Sequence, residues 1–446
     1  MRSTPNRFDL PLARFGMLSL CAAMLLTLSG CSGSEAPVVE SDPDPGAALS
    51  ASLDGEWPAW GGPGGDFQLA ARNLADSWPE SGPPLIWQRD FGPGYAAVAA
   101  AGDTLYSAYR DGDDDVIVAL SAGDGATRWE SRYTAPIAGD QIVTDFGLGP
   151  NATPLLLGDR IVTLGFGGQL RAWSRQDGSL LWKHDLVEEL GGVVPKFGYA
   201  ASPVLHDGAV LVLVGGERGL IALSPDDGSI LWETPPSSVS YATPIAFDVD
   251  GLDQVVYMTS DEVVSVASGE GRVLWREPVE NQYANNATDP LWSGDGKLWV
   301  ATQLEGGARL LDLKRNGDGI EAEQVWFNGK VNLHYWNALR IDNHVYANIG
   351  GQGSILAGVS VDSGEILWRE RGYEKSNLLH VGDRTILLDS KGHLAMVRFS
   401  PEGLNRMAEA RITEEKTWTP PTLVDTRLFV RDGASLRAYE LGKVGA

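Results

Sequence analysis

The chain has 446 residues with 35 basic and 59 acidic side chains, a formal net charge of −24, and only two cysteines. So acidic a surface repels nucleic acid and anionic lipid headgroups, which excludes both as partners held by charge. Of these, Cys21 lies in the amino-terminal stretch read below as a cleaved signal, which would leave no pair of thiols for a disulfide or a metal cluster, so the fold is expected to hold by packing.

At the amino end, Arg2, Arg7 and Arg14 precede an apolar run from Phe15 to Leu28 that is too short and wrongly flanked for a spanning helix. Residues 1–30 therefore read as an export signal. It ends in Leu28-Ser29-Gly30-Cys31, which resembles the bacterial lipobox, and that resemblance implies cleavage before Cys31 and acylation of its thiol. Cys21 leaves with the signal. Nothing after Cys31 resembles a transmembrane span, so the expected membrane contact is the lipid alone. Ser32 is compatible with the outer membrane, facing the periplasm. Residues 31–56, rich in Ser, Pro, Asp, Glu, Gly and Ala, read as a flexible tether. Trp57-Pro-Ala-Trp60-Gly-Gly-Pro then puts two indoles in four residues, and these need burial. Residues 57–84 are expected to form an irregular arm packed on the domain, with Trp78 as a further anchor.

From residue 85 onward one pattern repeats. An alternating apolar run meets an Asp-Gly turn, and a second run ends on tryptophan four residues after the glycine, as in Gly219 to Trp232. The pairs are Gly125/Trp129, Gly178/Trp182, Gly228/Trp232, Gly271/Trp275 and Gly364/Trp368, with a stretched copy at Gly319/Trp326 and a decayed one at Gly403/Met407. Periods of about 40 to 50 residues built of short strands mean propeller blades. Third strands are predicted at 116–121, 169–174, 219–224, 262–267, 308–313, 355–360, 394–399 and 435–441. Eight third strands balance eight fourth strands only if the last pairs with the segment around Trp87, closing the ring and removing its edges. The expected fold is thus all-β: one eight-bladed propeller of four-stranded antiparallel blades over residues 57–446, a monomer. Trp87, Trp129, Trp182, Trp232, Trp275, Trp326 and Trp368, one per blade, are assigned to docking between sheets, each burial contributing roughly 2 to 3 kcal/mol.

The strand, Asp-Gly turn and Trp unit resembles the quinoprotein-type, tryptophan-docking repeat of pyrroloquinoline quinone (PQQ) dehydrogenases. Trp57-Pro-Ala-Trp-Gly-Gly-Pro, Gly149-Pro-Asn-Ala-Thr-Pro, Tyr199-Ala-Ala-Ser-Pro and Lys416-Thr-Trp-Thr-Pro-Pro resemble the exported PQQ-like β-propeller repeat proteins, related to the BamB-like outer-membrane assembly lipoproteins. The resemblance covers residues 57–441. It implies the fold and an envelope location, and for the quinone enzymes it implies a vicinal cysteine pair, a stacking tryptophan and a Glu/Asn/Asp set holding calcium. The vicinal pair is missing from this sequence, so no cofactor is expected and the repeat's name is not read as PQQ binding.

Other catalytic sets are also not expected. The six histidines at 184, 206, 334, 344, 380 and 393 form no zinc-type pair. Asp111-Gly-Asp-Asp-Asp115 has its glycine in the wrong place for a calcium loop and reads as a solvated hairpin tip. One register looks more than structural. The loops entering the innermost strands of all blades converge on the mouth of the axial funnel. A small polar column runs through them: Thr153, Ser202, Thr243, Thr288, Asn337, Asn377 and Thr419, with Ala97 in the first blade. Satisfying backbone groups at the loop ends accounts for that column. It does not account for Asn151, Tyr199, Tyr241, Asn285, Asn286, His334, Tyr335, Trp336, Lys375, Lys416 and Trp418 just before it, which are candidates for a ligand or partner rim. The sequence thus points to a non-catalytic envelope scaffold with a protein or polymer partner. PQQ-dependent oxidation and binding of a small ligand or glycan are the alternatives. If the rim binds a ligand, Trp336→Ala and Trp418→Ala are expected to abolish binding at an unchanged melting temperature.

Overall fold

Short runs of Val, Leu, Ile and Ala broken by Gly and Asp at positive φ leave the backbone one economical course, the antiparallel meander. The computed structural model describes residues 55–137, 142–279, 281, 283, 285–350 and 355–443. The export signal, Cys31 and the tether up to residue 54 lie outside them. Among the described residues all regular structure is β, arranged in eight sheets around one axis, and no helix is long and apolar enough to cross a membrane.

The innermost strands begin blades 1 to 4 at Ala99–Ala101, Leu155–Leu157, Val204–His206 and Ile245–Val249, and blades 6 to 8 at Leu339–Ile341, Asn377–Val381 and Thr422–Val424. Blade 2 shows the plan, with Arg160–Leu164, Gln169–Ser174 and Leu180–Asp185 following outward. The predicted third strands all occur, within one or two residues at most ends. Two sheets depart from four strands. Blade 5 has three, its innermost strand reduced to a backbone bridge between Leu291 and Trp299, and blade 7 gains Gln68–Leu69, parallel to its innermost strand.

The ring closes where the sequence predicts. Leu85–Asp90 is the outermost strand of blade 8 and pairs with Ser435–Glu440, setting Trp87 opposite Ala438. Blade 8 is then clasped to blade 1 through the buried Arg431, whose guanidinium donates to the carbonyls of Ala96, Ala108 and Gly92 at 2.6, 2.8 and 3.1 Å. The Thr422 hydroxyl donates to Val98 O at 2.6 Å across the same seam.

The glycine of each Gly–Trp pair has a partner the repeat alone does not reveal. It seats the tryptophan of the preceding blade, not its own. Gly125 lies under Trp87, Gly178 under Trp129, Gly228 under Trp182, Gly271 under Trp232 and Gly364 under Trp326, and a Cβ on any of them would stand 2.5 to 2.8 Å from the neighbouring indole. Most of these indoles also reach that next blade by hydrogen bond. Trp87, Trp129 and Trp182 donate at 3.0 Å to the carbonyls of Ala122, Arg175 and Pro225, and Trp326 and Trp368 donate to Val361 and Ser400. Trp275 differs, donating to Gln254 of its own blade.

One acidic stretch is not what its composition promised. Asp113 at the tip of Asp111–Asp115 is exposed, but Asp115 is fully buried and paired with Arg110 at 3.2 Å. Burial pushes its carboxyl up to about 6. The third strand is buried on both faces from Asp115 to Leu120, so the run is a hairpin tip only as far as Asp114.

Candidate functional site

The upper face of the ring is the one on which the innermost strands begin. There the small polar column forms a belt joining blade to blade. Ala97 N donates to Thr153 Oγ1 (3.3 Å), Thr153 N to Ser202 Oγ (3.0 Å) and Ser202 N to Thr243 Oγ1 (3.1 Å). Further round, Thr288 Oγ1 donates to His334 O, the Asn337 amide pairs with both backbone groups of Leu378, Asn377 Nδ2 donates to Trp418 O, and Thr419 Oγ1 donates to Tyr95 O. Each buried backbone group needs a partner, and a side chain one atom deep supplies it without filling the channel.

At blade 5 the belt changes chemistry. Thr243 N donates not to Thr288 but to Asp289 Oδ1 at 2.7 Å. The other carboxylate oxygen accepts the indole N–H of Trp60 at 2.6 Å. Enclosure by protein raises the Asp289 carboxyl to about 6 against both bonds, which act to lower it.

Trp60 arrives from the arm, which lies across the channel. Trp57 pairs with Ala100 of blade 1, Pro58 O accepts from Leu156 N of blade 2, and Gln68 reaches Arg340 O of blade 6. Phe67 O and Leu69 O accept from His380 N and Gly382 N of blade 7. Between these contacts, residues 59–67 close a tight loop in which Gly61 O accepts from Phe67 N, and a Cβ on Gly61 would overlap the Gly65 backbone. Trp57, almost fully buried, and Trp60 both pack on Phe67. The arm expected to be irregular is thus a shaped plug, with Trp78 half-buried against the core further along.

Above the plug lies a cavity of about 360 Å³ to which all eight blades contribute. Trp60 is its floor. Tyr241, Phe197, Phe146, Trp418 and Tyr95 or Tyr335 form a chain of rings with successive centroids 5.3 to 5.9 Å apart. The Tyr95 hydroxyl donates to Phe146 O at 2.5 Å and holds that loop in place. Asn151, Asn285, Gln303, His334 and Lys375 are the polar lining. Burial and the nearby Lys375 ammonium drop the His334 imidazole to about 4, so it is neutral at pH 7. Burial likewise raises the Tyr241 phenol to about 12.

Among the residues singled out from sequence, Asn151, Tyr241, Asn285, His334, Tyr335, Lys375 and Trp418 line this cavity and four others do not. Tyr199 is buried between blades 2 and 3, its hydroxyl donating to Val214 O. Asn286 is wholly buried and donates to Thr259 O at 2.8 Å. Trp336 is 1% exposed, packed beneath Tyr335 and Lys375, so Trp336→Ala would open a core cavity and lower the melting temperature, contrary to the sequence expectation. Lys416 is exposed, its Nζ 5.2 Å from the Trp418 ring centroid and outside the lining. Sequence reasoning missed Trp60, Tyr95, Phe146 and Phe197. Phe146 and Phe197 sit in the two longest early inter-blade connections, whose extra length was the available signal.

The donor set that the resemblance implies for PQQ with its calcium is not assembled here. Among the described residues no acidic side chain lines the cavity and no three His, Cys, Asp or Glu stand together as a metal site, and both cysteines lie outside those residues. The residues present do not fit that group.

Comparison with known proteins gives the ring relatives. The family described as outer membrane protein assembly factor BamB matches residues 79–189 and 144–305, which together span just over half of the chain. Outer membrane protein assembly factor BamB of Yersinia pestis is 23% identical over 378 residues, covering 76% of this chain and 87% of that protein. The crystal structure of BamB from Moraxella catarrhalis superposes with a TM-score of 0.57 at 14% identity, over 82% of this chain and 100% of that one. A europium-containing methanol dehydrogenase gives 0.62 at 12% identity, over 89% and 99%. Likeness at such identities concerns the ring and carries no chemistry.

Proposed function

Because the chain belongs to the family of the outer membrane protein assembly factor BamB, we propose that it is a non-catalytic scaffold of the bacterial cell envelope. In this reading it is tethered by a lipid on Cys31, in the outer membrane facing the periplasm, and recruits a protein partner through the upper face of the ring. The observation that carries the reading is the apolar side chains left in water on that face. Phe146, Val193 and Tyr283 are 43, 58 and 56% exposed, all on long loops that enter innermost strands. Large apolar groups on the loops of that mouth, in a ring whose other exposed apolar side chains lie mostly along its outermost strands, support a contact surface for another macromolecule. The described lining of the funnel, which includes no carboxylate to act as base or metal ligand, supports binding over turnover.

The test is made in cells. A photo-crosslinking residue placed at Val193 or Tyr283 is expected to trap one discrete envelope protein, and the same residue at Leu367 on an outermost strand is expected not to. Labelled palmitate should enter the wild type and not Cys31→Ser. No adduct at either upper-face position, with protein levels normal, would remove the scaffold reading. Unchanged labelling of Cys31→Ser would remove the anchor.

A further inference from the structure

We infer that the funnel is a binding site for a small organic anion with an apolar, ring-sized body, its floor closed by the chain's own amino-terminal arm. The inference is independent of the scaffold reading.

Charge is the first reason. Among the described residues no acidic side chain lines the cavity of this acidic chain, and the one formal charge in the lining at pH 7 is the Lys375 ammonium. Among the described residues Lys375 has no carboxylate or hydrogen-bond partner. Its Nζ stands 5.5 Å from the Trp336 ring centroid, which keeps it at the lip of the funnel by cation–π attraction. The residue adopts φ +52°, a left-handed conformation that a lysine holds at some cost. Neutral His334 beside it neither competes for an anion nor adds a second cation.

Size and lining are the second reason. About 360 Å³ is the volume of a small-ligand pocket, and the rings of Tyr95, Phe197, Tyr241 and Trp418 offer faces for an apolar body. The side-chain amides of Asn285 and Gln303 line the same space and make no hydrogen bond within the described residues. Trp60, latched on Asp289, seals the bottom, so a polymer cannot thread the ring from this mouth. Among the described residues no acidic cluster is present to grip a divalent cation, and recognition falls to the ammonium and the rings.

The test uses the purified chain carrying Cys31→Ser, so that no acyl group competes. It is titrated with 8-anilinonaphthalene-1-sulfonate and with its uncharged parent N-phenyl-1-naphthylamine, and followed by calorimetry. The sulfonate is expected to bind one per chain. Lys375→Met should weaken it about tenfold, the loss of one charge-assisted contact, and leave the neutral parent within about twofold. Trp60→Ala should weaken both probes together by about tenfold. Should that variant fail to fold, Trp60→Phe keeps a ring on the floor without the Asp289 latch, and it is expected to retain the parent. No stoichiometric sulfonate binding, or equal weakening of both probes by Lys375→Met, would overturn the anion site. Binding indifferent to Trp60→Ala, or loss of the parent in a folded Trp60→Phe, would overturn the floor. Displacement of the sulfonate from wild type only by peptides or oligosaccharides, and by no small anion, would also sink the inference. None of these titrations depends on the crosslinks described above.

Discussion

Asp289 is one carboxylate serving two neighbours, Thr243 of the belt and Trp60 of the arm. Its carboxyl is raised to about 6 from an ordinary 3.8, so the folded state prefers the neutral form. The stability this group contributes is complete below about pH 4 and is lost as pH rises through 6. Asp289→Asn carries no such dependence. Relative to wild type the variant should therefore gain about 2 kcal/mol between pH 4 and pH 7.5, on top of a constant offset for the bond it gives up. Denaturant melts at the two pH values measure this, and a difference that does not move with pH would show that the carboxylate is solvated. At this scale the sequence was only partly legible. Aligning loops finds which residues lie near the mouth, and Tyr335 and Trp418 are there. It does not find which way each one turns, and Trp336, one residue along, goes into the core. Asp289 escaped notice because Thr288 fits the column by type, although the backbone places its neighbour in the belt.

Among elements, the Gly–Trp unit shows how a repeat can be read correctly in period and incompletely in contact. Spacing within a hairpin is local and visible, whereas the ring that rests on Gly178 comes from Trp129, a blade earlier. Gly178 and Gly269 both sit at positive φ in turns, +72° and +81°, but only the first has an indole on it. Alanine at Gly269 should then cost only the left-handed backbone term, about 1 kcal/mol, whereas Gly178→Ala should cost about 3 kcal/mol or more because the Trp129 ring has to move. Chemical denaturation of the two variants decides it. Equal losses would mean that backbone conformation alone selects these glycines. Blade 5 marks the limit of the same logic. Its turn composition reads like the others, yet the innermost strand is worn down to one bridge, and nothing in residues 287–296 signals this.

For the molecule as a whole, eight sheets and their closure could be read from counting, because a strand without its partner at one end matched a partner without its strand at the other. The clasp could not. Arg431 looks like any surface arginine in a strand, and its role depends on carbonyls of Ala96 and Ala108 that meet it only in the closed ring. Closure is also the most non-local event in the fold, since Gln88 and Arg437 touch across 349 residues. Loop-closure entropy makes such pairing late and slow. Moving residues 85–90 to follow residue 443 through a short flexible linker turns that pairing into a hairpin. The permuted chain should refold several times faster at similar stability. An unchanged refolding rate in stopped-flow fluorescence would place the slow step elsewhere.

The arm adds a mechanical consequence. Its grip runs from blades 1 and 2, past Asp289, to blades 6 and 7, so it straps both sides of the seam while forming the bottom of the cup. Tension applied at residue 55 would have to break the Trp57 bridge to Ala100 before it reached Trp60, and the strand pairing within the blades lies beyond both. Load would then empty the vessel from beneath while its walls still stood.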